Sequence, residues 1–485
     1  MTDAGVLPAG LTVVPGRSTR ATRYWLDTFD RRLLARGVEM WLLPGRGPSP
    51  ARVVVTGPQP LAGEWSGPVP PEVVRRDELA EPVAGAIGGL LDIRALLPLI
   101  SAPVVERFDR VVDAEQKTLC RVRVQEAGPV RVVGVQALRG YEDEAAGVAT
   151  ALGTGEQSLL YRLLEHEGRA ETPGSRPAGA GLDPKTPAPE GVARIVGRLL
   201  ATVEENLPGT LARYDDEFLH DLRVAVRRAR SVLKIARDFV APAPAQTLGV
   251  ELKWLGDMTT PARDLDVHIQ DVPRMARHVD ADLRAALDPF VDLLVRNRDR
   301  AYEDLRAAVR STRYRRLMED APGLLADLAP PLDGEGALVT TAELAQSALQ
   351  KAFGRVVKRG RRLTPASPDE DVHDLRKRAK ELRYGLEFFA ELMGPERSQL
   401  VRDLKELQDV LGTFNDSVVQ LAFLRACAED LHAGGASART LLALGEISAD
   451  IARHGVRARS ELGDRVDALV RWGRSGRFTG LLTGG

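Results

Sequence analysis

His220-Asp-Leu-Arg-Val-Ala-Val-Arg-Arg-Ala-Arg230 returns as His373-Asp-Leu-Arg-Lys-Arg-Ala-Lys-Glu-Leu-Arg383, 153 residues further along the chain. Two more blocks follow in the same order at an offset of 152 residues. Leu252-Lys-Trp-Leu-Gly-Asp257 matches Leu404-Lys-Glu-Leu-Gln-Asp409, and Arg263-Asp264 matches Asn415-Asp416. Three matched blocks at a nearly constant offset mark an internal duplication. The spacing within each block is helical, because apolar residues recur at intervals of three and four. The second half of the chain is therefore expected to be two copies of one helical unit, about 191–335 and about 336–480, related by an approximate two-fold axis.

A helix turns about 100° per residue. His220, Arg223, Arg227, Arg230 and Lys234 then fall on one narrow stripe, while Leu222, Ala225, Val226, Ala229, Leu233 and Ala236 fall opposite. In the second copy, His373, Arg376, Lys380 and Arg383 form the stripe, backed by Leu375, Ala379, Leu382, Leu386 and Phe389. Each helix is expected to anchor one face in a core and present a line of cations on the other. Neighbouring cations on such a stripe lie about 5–6 Å apart, and like charges at that spacing cost a few tenths of a kcal/mol per pair. A basic face on a single helix is most often merely solvated. A chain that carries the unfavourable arrangement twice, with histidine at the same end each time, points to an anion running along it. Lys253 and Lys405 are further candidates facing the same groove. Asp257, Asp264, Asp409 and Asp416 are candidates to pair with the cations or to cap helices. The basic runs Arg313-Tyr-Arg-Arg316 and Arg355-Val-Val-Lys-Arg-Gly-Arg-Arg362 would extend the surface or form ordinary solvated faces. His166, His268, His278, His432 and His454 share no spacing with the stripes.

The first ~165 residues have another texture. Val53-Val54-Val55, Leu119-Cys-Arg-Val-Arg-Val124 and Val130-Arg-Val-Val-Gly-Val135 read as strands punctuated by turns. Alternation puts Arg121 and Arg123 on one face and Cys120, Val122 and Val124 on the other. Between the halves, residues 166–190 are rich in Pro and Gly and are expected to be a linker. The fold class is thus α+β and multidomain: 1–165 antiparallel and β-rich, 166–190 linker, 191–485 all-α.

Bulk composition narrows the function. The chain has 485 residues, a formal net charge of -1 and 5% aromatic residues. Broad basic surfaces and stacking platforms for nucleic acid are disfavoured, so specific nucleic-acid binding is not expected. No apolar run is long enough for a membrane span, and Met1-Thr-Asp-Ala-Gly lacks the order of a signal peptide. Cys120 and Cys427 suggest neither a disulfide framework nor a zinc cluster, which suits a reducing cytoplasm. No cofactor or metal site is indicated. Metal chelation through His220–Asp221 or His373–Asp374 is disfavoured because adjacent helical side chains diverge.

The paired His-x-x-Arg-x-x-x-Arg/Lys-x-x-Arg helices, Arg383-Tyr384 followed by Glu387, and the Leu-Lys-x-Leu-x-Asp blocks resemble the CHAD family, the conserved-histidine α-helical domain. The resemblance spans roughly 191–480. It implies a two-fold helical bundle with a basic pore that binds inorganic polyphosphate through His220, Arg223, Arg227, Arg230, Lys234, Lys253, His373, Arg376, Lys380, Arg383 and Lys405. It also implies residence on polyphosphate granules in the cytoplasm. The first copy departs from the second in having Arg263 where the second has Asn415. Tyr24-Trp-Leu-Asp-Thr-Phe-Asp30 with Leu33 and Gly37, and Gly140-Tyr141-Glu142 with Glu144, resemble a CYTH domain, which implies a triphosphate-tunnel barrel. An active member carries Glu-x-Glu-x-Lys on its first strand to hold Mg²⁺ or Mn²⁺. Leu11-Thr-Val-Val-Pro-Gly-Arg-Ser-Thr19 has no acid, and Val38-Glu-Met-Trp-Leu-Leu43 has no Arg or Lys. A non-catalytic domain is expected, with Glu106, Arg107, Arg121 and Arg123 as residual candidates for anion contact. A metal-dependent triphosphatase is the alternative function.

Overall fold

The computed structural model describes residues 7–45, 47, 49–155, 157–170, 172, 182–329, 339–364, 367–393, 397–474 and 478. Pro173, Gly174, Pro177, Gly179 and Gly181 of the expected linker, and Pro330-Pro331, lie outside the described residues, as does the start of the chain. Two compact units are present: Met1–Ser175 with Arg213–Glu217, and Arg176–Ala212 with Phe218–Gly485.

The first unit is built on antiparallel strands β1 (Thr12–Val14), β2 (Ser18–Asp27), β3 (Glu39–Leu43), β4 (Ala51–Thr56), β5 (Leu61–Trp65), β6 (Leu97–Val112), β7 (Thr118–Ala127) and β8 (Val130–Ala137). Helices α1 (Val83–Leu91), α2 (Glu142–Ala151) and α3 (Leu159–His166) accompany them. The strands pair in the order β5-β4-β3-β2-β6-β7-β8, with β1 also on β6. The path is open. The closed barrel that the resemblance implied is not formed among the described residues, because β5 and β8 each pair on one side only. Both β1 and β2 run along the same long β6, the former against Arg110–Val112 and the latter against Leu97–Arg107. The join is Gly16, where a Cβ would sit 1.9 Å from the carbonyl oxygen of Phe108, so no larger residue fits. Its N–H donates to Asp109 Oδ1 at 2.9 Å.

Strand alternation sorts β2, β3 and β4 between two cores, and Val111, Cys120, Val122 and Val124 pack with Ala145 and Val148 of α2 in a third. Leu26, Met40, Leu42, Val53 and Val55 pack with Val83, Ile87 and Leu91 of α1. On the other face Trp25, Trp41, Ala102 and Val104 pack with Leu159, Leu160, Leu163 and Leu164 of α3. That second face also carries a buried ion cluster. Glu106 accepts from Arg123 Nε at 2.7 Å and Gln125 Nε2 at 3.0 Å, and pairs with Arg23 Nη2 at 3.0 Å. Arg23 lies over the Trp41 ring, 4.8 Å from its centroid. Burial alone pushes the Glu106 carboxyl up, but Arg23 and Arg123 overcome it and hold the group below the usual carboxylate range.

The second unit is helical among its described residues: α4 (Ala188–Ala212), α5 (Asp216–Ile235), α6 (Pro242–Met275), α7 (Asp288–Arg310), α8 (Thr312–Ala326), α9 (Thr341–Gly360), α10 (Asp369–Phe388), α11 (Arg397–Ala433) and α12 (Ala438–Arg474), with short 3₁₀ turns between some of them. It starts earlier than the expected linker boundary at 190. Leu182 is in the core. Ala188 N–H donates to Val339 O at 2.8 Å, and Thr341 Oγ1 donates to Thr186 O at 2.8 Å, which ties this segment to the start of α9. At its other end the expected linker overlaps α3, which runs to His166. Pro242 begins α6, where its missing N–H costs no helical bond.

One core joins the two copies. Leu222, Ala225, Val226, Ala229 and Leu233 of α5 share a cluster with Leu375, Ala379, Leu382 and Leu386 of α10 and with Phe389. Leu252 and Leu255 of α6 and Leu404, Leu407 and Leu411 of α11 complete it. A second core gathers Ala262 and Leu265 of α6, Phe290, Leu294 and Leu305 of α7, Leu424 and Cys427 of α11 and Leu444 and Ile447 of α12. Both cysteines are buried and unbonded.

Leu375→Ala is expected to lower stability by about 2–5 kcal/mol in urea unfolding, since a fully buried leucine leaves a cavity. Lys377→Ala, on the exposed face of the same helix, should stay within about 0.5 kcal/mol. Glu106→Gln leaves Arg23 buried without its counter-charge, so a loss of about 3 kcal/mol is expected at neutral pH. The folded carboxyl is the depressed one, so the wild-type contribution is present above the ordinary glutamate pKa and disappears as pH falls through the lower folded value. Stability curves of the two proteins should converge in acid.

Candidate functional site

The buried backs of α5 and α10 fix which side chains stand in front. On α5 these are His220, Arg223, Arg227, Arg230 and Lys234; on α10 they are His373, Arg376, Lys380 and Arg383. Arg227 and Lys234 are exposed, and the rest are half-buried.

Each copy ties its first arginine down differently. Arg223 Nη1 donates to Thr260 Oγ1 at 2.8 Å, Thr259 Oγ1 at 3.1 Å and Gly256 O at 3.2 Å, all on α6. Burial lowers the pKa of its guanidinium, and Asp264 partly counters this. In the second copy Arg376 Nη2 donates to Asp416 Oδ1 at 3.0 Å on α11. His373 Nδ1 meets Asn415 Oδ1 at 2.5 Å, and Asn415 Nδ2 reaches Asp416 Oδ1 at 3.5 Å. Asp416 thus takes the pairing role proposed for it. Asp257 instead pairs with Lys253 at 2.5 Å along exposed α6.

The two stripes converge at Tyr384. Its ring lies 5.6 Å from the guanidinium carbon of Arg227 on α5 and 5.4 Å from that of Arg383 on α10. The ring is buried, and its hydroxyl has no hydrogen-bond partner among the described residues. Cation–π contact lets an aromatic face sit between two arginines that would otherwise repel. Lys380 stands one turn before Tyr384. Burial, then the charges of Arg376 and Arg227, and lastly Arg383, press its ammonium down to about 8, with Asp416 opposing. Arg227 and Arg383, at one ring, place both stripes against the same space.

Beyond this point a cleft of about 610 Å³ opens between α5 and the first turns of α6. Arg227, Arg230, Lys234 and Arg237 line it with Ser231 and Gln246, and none of its lining residues is acidic. Neither Arg227 nor Arg230 has an acidic partner among the described residues. Lys234 shares Glu381 with Arg355, at 3.2 and 2.9 Å. Arg237 was not singled out in the sequence, although its place three residues after Lys234 continues the stripe. Tyr384 belongs to the Arg383-Tyr384 motif, and a buried tyrosine reads as core until its two arginine neighbours are seen.

Other candidates stand apart. Lys253 and Lys405 are exposed and do not line the cleft. In the additional basic runs, Arg313 pairs with Glu251 at 2.7 Å and Arg359 with Asp371 at 2.5 Å and Asp374 at 3.1 Å. His268 stacks on Phe423, and His278 and His454 flank Asp450. Among the described residues no group of three or more His, Cys, Asp or Glu is placed to hold a metal ion, and no helix is long and apolar enough to cross a membrane.

Residues 194–425 match the family model of the CHAD domain. The chain is 31% identical over 339 residues to the uncharacterized protein Rv2226 of Mycobacterium tuberculosis strain H37Rv and, equally, to the uncharacterized protein MT2285 of strain CDC 1551. Each match covers 68% of this chain and 61% of the relative's own length. Among solved structures, the CHAD domain from the plant Ricinus communis aligns with a TM-score of 0.51 at 27% identity, covering 61% of this chain and 97% of that one. The helical unit, with its duplicated His-Arg helices joined in one core, therefore carries a CHAD domain.

Proposed function

We propose that this protein is a non-catalytic binder of inorganic polyphosphate, seated along the stripes of α5 and α10 and in the adjoining cleft. The observation that carries the reading is the convergence at Tyr384: Arg227, Lys380 and Arg383 meet there, next to a cleft that has four cations and no acid. A linear polyanion relieves this repulsion at many points at once, through charge-assisted hydrogen bonds with individually modest strength. The proposal extends to residence on polyphosphate granules and to an approximate two-fold relation between the copies.

The N-terminal unit is read as a degenerate CYTH-like domain without triphosphatase activity. Its first strand lacks acids, and Glu106 already engages Arg23 and Arg123, which would otherwise receive phosphate. Incubation with tripolyphosphate and Mg²⁺ or Mn²⁺ tests this, and release of phosphate above background would sink it.

Titration with long-chain polyphosphate should show affinity falling steeply with salt, because bound counterions are released from the chain. The double variant Arg227→Ala/Arg230→Ala should bind at least about tenfold more weakly, on the scale of one to two lost charge-assisted bonds. Arg313→Ala, whose charge is committed to Glu251, should leave binding unchanged. Equal affinity for all three proteins removes the site assignment.

The reaction should also take up protons. Lys380 titrates near 8, and a bound anion favours its charged form. Binding at pH 8 therefore draws a proton from solution onto Lys380, and affinity falls as pH rises through about 8. Calorimetry in buffers of different ionisation enthalpy measures the uptake, which Lys380→Met should abolish.

A further inference from the structure

Of the nine lysines in the chain, all among the described residues, eight are exposed and Lys380 alone is half-buried. It is flanked along α10 by Arg376 one turn before and Arg383 one turn after. Arg227 reaches the same space from α5, as its place on the Tyr384 ring shows. Asp416 on α11 opposes them and is itself engaged by Arg376, and Glu387 stands beside Arg383. An amine held among three guanidinium groups is a site where a nucleophile and a phosphate-binding surface coincide.

We infer that Lys380 is a modification site, acylated directly by small acyl phosphates whose phosphate half is held by Arg227, Arg376 and Arg383. The chemistry needs no further reactant. The neutral amine attacks the carbonyl carbon of the acyl phosphate, forming the C–N bond. The bond from that carbon to the bridging oxygen breaks, inorganic phosphate leaves with the electron pair, and the nitrogen loses a proton to solvent. The arginines supply what the step requires, stabilising the charge that grows on the departing phosphate. Repulsion by the same arginines, together with burial, keeps a useful fraction of the amine neutral near pH 8, whereas an exposed lysine stays protonated until about 10. The product amide carries no charge, so acylation removes one cation from the middle of the stripe. The inference rests on the reading of this cluster as a phosphate-binding site.

The test treats the full-length protein with acetyl phosphate and follows each lysine by peptide mass spectrometry. Lys380 is expected to acetylate at least about tenfold faster than Lys253 and Lys405, with a rate that levels off above about pH 8 while theirs keeps climbing. Acetic anhydride, which has no phosphate, should narrow that preference severalfold, and Arg227→Ala should slow the acetyl phosphate reaction at Lys380 alone. Long-chain polyphosphate should protect Lys380. Acetylation of Lys380 no faster than of Lys253 and Lys405 overturns the inference, as does equal preference with both reagents. Direct polyphosphate titration of untreated protein keeps the two readings separate. Fast, arginine-dependent labelling without polyphosphate binding upholds acylation and removes the polyphosphate reading; binding without selective labelling does the reverse.

Discussion

Like charges that converge where α5 meets α10 repel one another, and the helical unit holds them there by burying the opposite faces of the same helices. Each like-charged pair on a helix costs a few tenths of a kcal/mol. Leu222, Val226 and Leu233 behind α5, and Leu375, Leu382 and Leu386 behind α10, are almost wholly buried. Each is worth about 1.5–3 kcal/mol. Burial therefore outweighs the repulsion roughly tenfold, and the helices cannot rotate to separate their cations without exposing that apolar surface. What remains of the repulsion is concentrated on Lys380, where burial and three guanidinium groups act together.

The duplication placed equivalent arginines at matching positions, but the neighbours diverged. Arg223 donates to two threonine hydroxyls and a carbonyl, while the carboxylate of Asp264 acts on it without a direct hydrogen bond. Arg376 is held by the carboxylate of Asp416, which offsets part of its charge. Glu387 likewise reaches both Arg228 and Arg383. Acids thus crowd the second copy's stripe, while the acid-free cleft lies on the first copy's side. Two helices with nearly the same pattern make different contacts because the helix next door differs, with Arg263-Asp264 on α6 against Asn415-Asp416 on α11.

Much of this was legible in the sequence because it depends on periodicity. The backs of α5 and α10 are buried at the residues that a 100° turn selects, and β7 buries Cys120, Val122 and Val124 and turns Arg121 outward. Contacts that cross between elements were not legible. Nothing local to Tyr384 says that an arginine 157 positions earlier lies on its ring. Nothing in Arg355 or Arg359 says that Glu381 or Asp371 will occupy it. Proline is disfavoured in a helix interior, yet Pro208, Pro261, Pro273 and Pro322 sit inside helices. Local punctuation loses there to tertiary packing, which makes up for a missing backbone bond. The implied barrel is not closed among the described residues, and closure depends on whether the edges of β5 and β8 meet, which strand patterns do not tell.

The same side-chain types serve opposite ends in the two units. On the sheet, Arg23 and Arg123 converge on one glutamate, which offsets part of their charge in a partly dry place. Removing the glutamate there would cost more than the pair contributes, as for buried ion pairs generally. On α5, Arg227 and Arg230 converge with no acid at all, and stability comes from the other side of the helix. Only the second arrangement leaves an electrostatic demand unmet. An anion entering the sheet cluster has to displace Glu106 from two arginines, whereas an anion reaching Arg227 and Arg230 meets no carboxylate already paired with them among the described residues. That difference, more than the number of basic residues in a chain of net charge -1, is why the proposed binding is assigned to the helical unit.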